Sequence, residues 1–330
     1  MKKSTIVIII LDILVVIGFF LTYGPITYFR NLLVNTAMKT MSHQYFAYIF
    51  YTEKMVQDVL ASNYFVTVDE DVKLDDIVID TKPKKTFKDK YEEELLTRNP
   101  GNEDYKILDI TIGNSKGYVV AIYDPSKVKL ITMQSFGSKY GEQVSTMCRR
   151  NGGIVCINGG GFQDPYGTGS GIPMGYVIKD GKIIWRDSYE RGNLIGFTND
   201  NKLLLINATG EEALEKGMRD GLEFGPFLIV NGKSMKIVGD PWGTSPRVAI
   251  AQRKDGVVLF LVIDGENYTN GGSLKDMIEV LERYGAYNAA NLDGGHSTSL
   301  VVNGTLYNNP PSVAKKQGGR YVVTGWGLVK

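Results

Sequence analysis

The chain has 330 residues, with 37 Lys and Arg against 36 Asp and Glu, a nearly balanced charge that gives no reason to expect nucleic acid as a partner. An apolar fraction of 43% with 11% aromatics suits a folded core. Only His43 and His296, in distant regions, and two cysteines lacking a second pair at ligand spacing are available, which argues against a zinc site.

Lys2 and Lys3 precede an almost unbroken apolar run from Thr5 to Thr22, about the length that crosses a bilayer as a helix. Asp12 costs about 2.5–3.5 kcal/mol at a membrane centre, which the surrounding Ile, Leu, Val and Phe outweigh. No small-residue cleavage site follows, so residues 1–23 read as an uncleaved anchor with its N-terminus in the cytoplasm and the rest outside. Residues 24–65 read as a helical juxtamembrane stalk, since Phe29, Leu32, Leu33 and Thr36, then Tyr45, Ile49, Met55, Val59 and Leu60, recur at helical spacing. His43 and the aromatics from Tyr45 to Tyr51 read as packing and interfacial anchoring. Residues 66–104 mix charges of both signs with little apolar periodicity, the texture of a linker or an exposed excursion.

From about Tyr105 the pattern changes to short strands broken by turns. Asp180-Gly181, Asn231-Gly232, Asp255-Gly256 and Asn303-Gly304 each separate apolar runs, as hairpin turns do. Two helices interrupt the strands: Tyr140 to Arg150, and Ser273 to Tyr284, where Ser273 and Asp276 form a capping box and Gly285 suits the C-terminal cap. The predicted class is α+β, a largely antiparallel sheet core with a few packed helices behind one N-terminal transmembrane helix, and residues 105–330 form one domain. Cys148 and Cys156 are either a disulfide or a buried pair of thiols.

The stretch from Asn291 to Ser299 gathers a carboxamide, the Asp293 carboxylate, the His296 imidazole and the hydroxyls of Ser297, Thr298 and Ser299 around Gly294 and Gly295. It follows a buried strand, so rigid elements hold it on both sides. An internal echo precedes it: a helix ending at Gly152, a strand at Ile154–Ile157, then Asn158-Gly159-Gly160-Gly161-Phe162. Both units end in Asn followed by glycines, which predicts two Gly loops at one pole of a common sheet. Arg247, just before an apolar strand, sits where a guanidinium holds a phosphate or carboxylate, or else closes a structural ion pair. Asp264 ends the most apolar strand and is either used or turn-capping; Glu223 is a further candidate acid.

Taken in order, Asn158-Gly-Gly-Gly-Phe162, Gly175 to Lys182, Gly225 to Lys233, Pro246-Arg-Val-Ala-Ile250, Val262-Ile-Asp-Gly265 and Asn291-Leu-Asp-Gly-Gly-His-Ser297 resemble the phosphodiester glycosidase family over about residues 105–330. Its bacterial members are often called exopolysaccharide biosynthesis proteins, and its eukaryotic members include the uncovering enzyme of mannose 6-phosphate. The first hundred residues resemble the anchored N-terminus of Gram-positive members. The resemblance implies hydrolysis of a sugar phosphodiester at the anomeric carbon, in a cell-surface glycopolymer or exopolysaccharide of the cell envelope. No cofactor is firmly required, and whether a Ca²⁺ or Mg²⁺ ion is bound is left open by the sequence.

It also implies roles. Arg247 neutralises the phosphodiester, the loops of Asn158, Gly160, Gly161 and Phe162 and of Asn291, Gly294, Gly295 and Ser297 bind substrate, and Asp293 or Asp264 activates water or stabilises an oxocarbenium-like carbon. His296 shuttles a proton or binds phosphate, and Glu223 is the remaining acid. Two positions depart from the family pattern: His296 stands where Gly or Ser is frequent, and Glu266 where many members have Arg. The competing readings are a non-catalytic protein that binds such a polymer, and a phosphodiesterase whose carboxylate cluster holds Mg²⁺ or Ca²⁺.

Overall fold

The computed structural model describes residues 3–25, 27–38, 44–165, 167, 169–265, 271–311 and 318–330, so His43 and Glu266 lie outside the described residues. The chain divides into two compact units, Met1–Val66 with Ile237–Gly243, and Thr67–Lys236 with Thr244–Lys330.

The first unit is helical. α1 (Lys3–Tyr23) holds the apolar run, and its stretch Thr5–Tyr23, with a mean hydropathy of 2.8, is long and apolar enough to cross a membrane. The expected stalk is three short helices: α2 (Thr27–Met38), α3 (Tyr45–Phe50) and α4 (Glu53–Ala61). α3 and α4 are separate because Tyr51 is extended (φ −129°, ψ 146°) and Thr52 restarts the helix, its side chain accepting from the Met55 amide at 3.3 Å. Val34, Ala37, Ala47, Tyr51, Val56 and Val59 bury a small core among them.

Among the described residues the second unit is built mainly from three antiparallel sheets. Sheet A has seven strands in the order Lys233–Ser234, Phe227–Val230, Ala286–Leu292, Arg247–Arg253, Val258–Ile263, Ser115–Ile122 and Tyr105–Ile112. Sheet B runs Thr305–Leu306, Leu300–Val302, Gly153–Asn158, Thr324–Val329 and Val128–Thr132, and sheet C runs Leu203–Ala208, Gly192–Thr198, Met218–Glu223, Val177–Lys179 and Lys182–Trp185. One core joins all three, with Val120, Phe260 and Leu292 from sheet A, Ile157, Leu300 and Trp326 from B, and Ile195, Phe197 and Leu222 from C. The hairpin turns form as the local sequence dictates. Asp180, Asn231 and Asn303 take positive φ beside Gly181, Gly232 and Gly304, which gives the type I′ geometry that matches strand twist.

Three expectations change. The segment after Val66 is not a loose linker: Ile77, Leu95 and Leu96 are buried, and the Val78 and Asp80 amides donate to the carbonyls of Lys254 and Asp255. One of its acidic residues serves a buried cation: Glu92 pairs with Arg253 at 2.7 Å, alongside Asp255 at 2.9 Å, while α5 (Lys90–Leu96) is capped by Asp89. The helix expected from Tyr140 is α6 (Val144–Arg150), because Glu142–Gln143 pair instead with Tyr321–Val322. A short α7 (Gly210–Glu215), closed by a capping box between Thr209 and Glu212, was not expected, whereas α8 (Leu274–Arg283) carries the predicted Ser273–Asp276 box.

The third change concerns the two helix–strand units. α6 and α8 both end before a glycine of positive φ, Gly152 (68°) and Gly285 (76°), but the strands that follow lie in different sheets, B and A. They meet only at their C-terminal ends. Cys148 on α6 is disulfide-bonded to Cys156 on the sheet B strand, which settles the open alternative.

Candidate active site

Asn158 is the joint between those two strand ends. Fully buried, it donates from Nδ2 to the Asp293 carbonyl (2.6 Å) and accepts at Oδ1 from the Ser299 amide (3.0 Å), and the Asp293 amide donates to Gly159 O (2.9 Å). The triple glycine is needed for close approach rather than for unusual dihedrals. A Cβ on Gly159 would lie 2.7 Å from Leu222 Cδ2, one on Gly160 3.0 Å from the Glu223 carbonyl and one on Gly161 3.1 Å from the Phe224 ring. Sheet C therefore closes against this loop. Gly294 does the same for Pro246, whose carbonyl would stand 2.6 Å from a Cβ there and which accepts from the Gly295 amide at 2.9 Å. Gly295 takes φ 58°.

Asp293 is the most perturbed carboxyl of this junction. Burial pushes it up from 3.8 to about 6, and a hydrogen bond from the Ser297 side chain, the charge of Arg320 and the Gly294 amide pull the other way. Burial and Arg320 push the His296 imidazole below its ordinary value, opposed by Asp164, so His296 is neutral at pH 7. Arg320 forms an ion pair with Asp164 and lies over the Phe162 ring, its Cζ 5.3 Å from the centroid, while Asp164 also accepts from the Gly169 amide at 2.9 Å. Phe162, Asp164, Asp293, His296, Ser297 and Arg320 thus share one electrostatic neighbourhood. Sequence reasoning missed Asp164 and Arg320. The signals were weak: a polar residue before Pro165, and a lone Arg after Gly318-Gly319.

The other expected residues are distributed around this cluster. Arg247 opens its strand beside the end of the Asp293 strand, because Val248 pairs with Leu292, and strand alternation turns its side chain to the face opposite these two core residues. There it is buried, and its Nε donates to the Gly272 carbonyl just before α8 (3.0 Å). Arg320 is a cation that acts on Asp293. Asp264 is also buried, accepting from Asn308 Nδ2 (2.7 Å) and the Asn309 amide (2.9 Å), with Asn308 in turn bonded to the Leu300 amide and the Thr298 carbonyl. It ties the end of sheet A to the chain just after Ser297.

Glu223 ends the sheet C strand that closes against the triple-glycine loop. Its carboxyl fills the space left by Gly175 and Gly192, where a Cβ would lie 2.3 and 2.1 Å from its nearest atom, and it accepts from the Tyr176 amide at 3.2 Å. Burial raises its pKa, and Asp187 adds to the rise. Asn291 donates to the Gly225 carbonyl (2.9 Å), and its amide bonds Pro226 O (3.0 Å), placing the cis Gly225-Pro226 bond beside the same strand end. Asn291 Oδ1 is buried without a partner, an acceptor held in reserve. Among the described residues, no three His, Cys, Asp or Glu side chains are grouped to hold a metal ion.

The family model for phosphodiester glycosidases matches residues 151–329, from the turn after α6 through the last strand, and so takes in Asn158, Asp164, Asp293 and Arg320. The chain belongs to the phosphodiester glycosidase family. It is similar to the N-acetylglucosamine-1-phosphodiester alpha-N-acetylglucosaminidases of human (39% identical over 176 residues, 47% of this chain and 33% of that protein) and mouse (28% over 174 residues, also 47% and 33%). It is also similar to a prophage-derived protein of Bacillus subtilis, YomE, at 30% over 200 residues, 57% of this chain and 30% of that one. The chain spans about a third of the length of these relatives. Among solved structures, the zebrafish N-acetylglucosamine-1-phosphodiester alpha-N-acetylglucosaminidase catalytic domain, auto-inhibited by its pro-peptide, shares the fold, with a TM-score of 0.57 at 23% identity over 69% of this chain and 82% of that one.

Proposed function

We propose that this protein is a membrane-tethered, extracytoplasmic hydrolase that cleaves sugar-1-phosphodiester linkages in a cell-surface glycopolymer or exopolysaccharide. The observation that carries this reading is the carboxyl of Asp293, raised to about 6 and set beside Ser297, His296 and Arg320 in a family of phosphodiester glycosidases. Above pH 6 Asp293 is a carboxylate and accepts a proton from the water that attacks the anomeric carbon. The bond between that carbon and the phosphate oxygen breaks, and its electron pair leaves with the phosphomonoester. Arg320 is placed to stabilise the leaving charge, exchanging part of its pairing with Asp164 for the phosphate oxygens. A phosphate leaves as a weak base and needs little acid help, so a neutral His296 suffices to pass a proton. Arg247, Asp264, Asn291 and the two glycine loops hold the shape of the site, and Glu223 supports the loop from behind. α1 is the tether, with Lys2 and Lys3 keeping its N-terminus in the cytoplasm.

The test is hydrolysis of a synthetic sugar-1-phosphodiester in ¹⁸O-water by the detergent-solubilised full chain. Label appearing in the sugar supports the reading. Label in the phosphate, abolished by EDTA, means a metal-dependent phosphodiesterase, and tight binding without turnover means a polymer-binding protein.

A further inference from the structure

The small helical unit has two unlike sides. On α4 the outward residues are Glu53, Lys54, Gln57 and Asp58, an ordinary solvated face. On α2 and α3, beside Thr27 and Thr36, they are Tyr28, Phe29, Leu32, Tyr45, Phe46, Tyr48, Ile49 and Phe50, each of these eight 41–65% exposed. The described residues of α2 and α3 include one charge, Arg30, and it is only partly exposed. A face of this size made of rings and branched aliphatics is not left to water.

We propose that α2 and α3 form a second membrane contact, an aromatic face lying in the boundary between lipid headgroups and acyl chains beside the emerging end of α1. It rests, for its geometry, on α1 spanning the bilayer. The Tyr23 ring at the end of α1 packs edge-on against Tyr51 of the helical unit, with centroids 6.1 Å apart, and Tyr23 also touches Phe19 one turn earlier. The unit is therefore fixed at the mouth of the span. Tyr28 follows Tyr23 by only five residues, at most about 18 Å of extended chain, so the aromatic face cannot leave the membrane surface. Tyr and Phe suit that position because a ring enters the acyl region while a phenol hydroxyl stays wet. The polar α4 face then looks away from the lipid.

Both cysteines of the chain are bonded to each other, so one introduced thiol reports a single place. The full chain carrying Ile49→Cys or Gln57→Cys is labelled with an environment-sensitive fluorophore and reconstituted in phosphatidylethanolamine and phosphatidylglycerol vesicles. A blue-shifted signal at 49, quenched by lipid-borne spin label at least 3-fold more than at 57, is expected. Equal quenching of both by aqueous iodide overturns the proposal, as does a site 49 shielded from both quenchers with self-quenching between labelled copies, which means pairing of two chains. In a second arm, the chain lacking residues 1–24 still floats with these vesicles, and Phe46→Ser, Ile49→Ser and Phe50→Ser together reduce the bound fraction at least 10-fold. A deletion chain that folds and stays off the vesicles refutes it. Neither arm depends on catalysis, and only the first depends on α1.

Discussion

Asn158 and Asp293, 135 residues apart in the chain, are joined by a 2.6 Å hydrogen bond from the carboxamide of one to the main-chain carbonyl of the other. The same carboxamide satisfies the Ser299 amide, so one buried side chain fixes both glycine loops and sets where the Asp293 carboxyl begins. Asn158→Ala leaves a buried carbonyl and a buried amide unpaired, at about 1–3 kcal/mol each. We expect a loss of about 2–4 kcal/mol in urea unfolding, together with lost activity. A loss below about 1 kcal/mol means that water replaces the carboxamide and the joint is not structural.

Asp293 should make the fold less stable at neutral pH. Its folded pKa of about 6 lies above the ordinary 3.8, so between those values the folded state holds the proton more tightly than the unfolded chain. Stability therefore falls as pH rises through that window and stays lowered above it. Asp293→Asn abolishes this dependence and is expected to be more stable than the parent by about 2–3 kcal/mol at pH 7.5, with the gain vanishing near pH 4. Turnover should fall about 10²–10⁴-fold. Parallel denaturation at the two pH values measures the first effect, and an unchanged difference between them refutes the assignment.

Removing the Arg320 charge acts on two titrations at once, because that charge lowers both Asp293 and His296. In Arg320→Gln both groups titrate at higher pH, so the acid limb of the pH–rate profile moves to higher pH. We expect kcat/KM to drop about 10²–10³-fold through loss of charge stabilisation. Arg320→Lys should restore the limb more fully than the rate, since an ammonium supplies the charge without the guanidinium fork. A profile that keeps its acid limb in Arg320→Gln would show that the guanidinium and Asp293 are electrostatically independent.

Glu223 and Gly192 should be energetically coupled. A Cβ at 192 would sit 2.1 Å from Glu223 Cδ, so Gly192→Ala displaces that carboxyl and costs about 1–3 kcal/mol. In the Glu223→Ala background the obstruction is gone and the same change should cost much less, a coupling of about 0.5–3 kcal/mol in the double-mutant cycle. Simple additivity would place the Glu223 side chain elsewhere.

Much of this molecule is written locally. The Asp-Gly and Asn-Gly turns, the Ser273–Asp276 box, Gly285 after α8, the apolar α1 and the motif from Asn291 to Ser297 each follow from dihedral limits or periodicity within a few residues, and such signals survive in any tertiary setting. The sequence alone therefore determined an antiparallel α+β chain with a candidate membrane span and placed Asn158 and Asp293 at strand ends. Other features depend on which segments meet. The tertiary structure put the two helix–strand units in different sheets, tied the Arg247 guanidinium to the Gly272 carbonyl, brought Asp164 to Arg320 across 156 residues and gave Glu92 a buried Arg253 to pair with. The physical reason is range: a turn or a cap is fixed by neighbours in the chain, whereas the partner of a buried charge is chosen by packing, and nothing in its own vicinity records that choice.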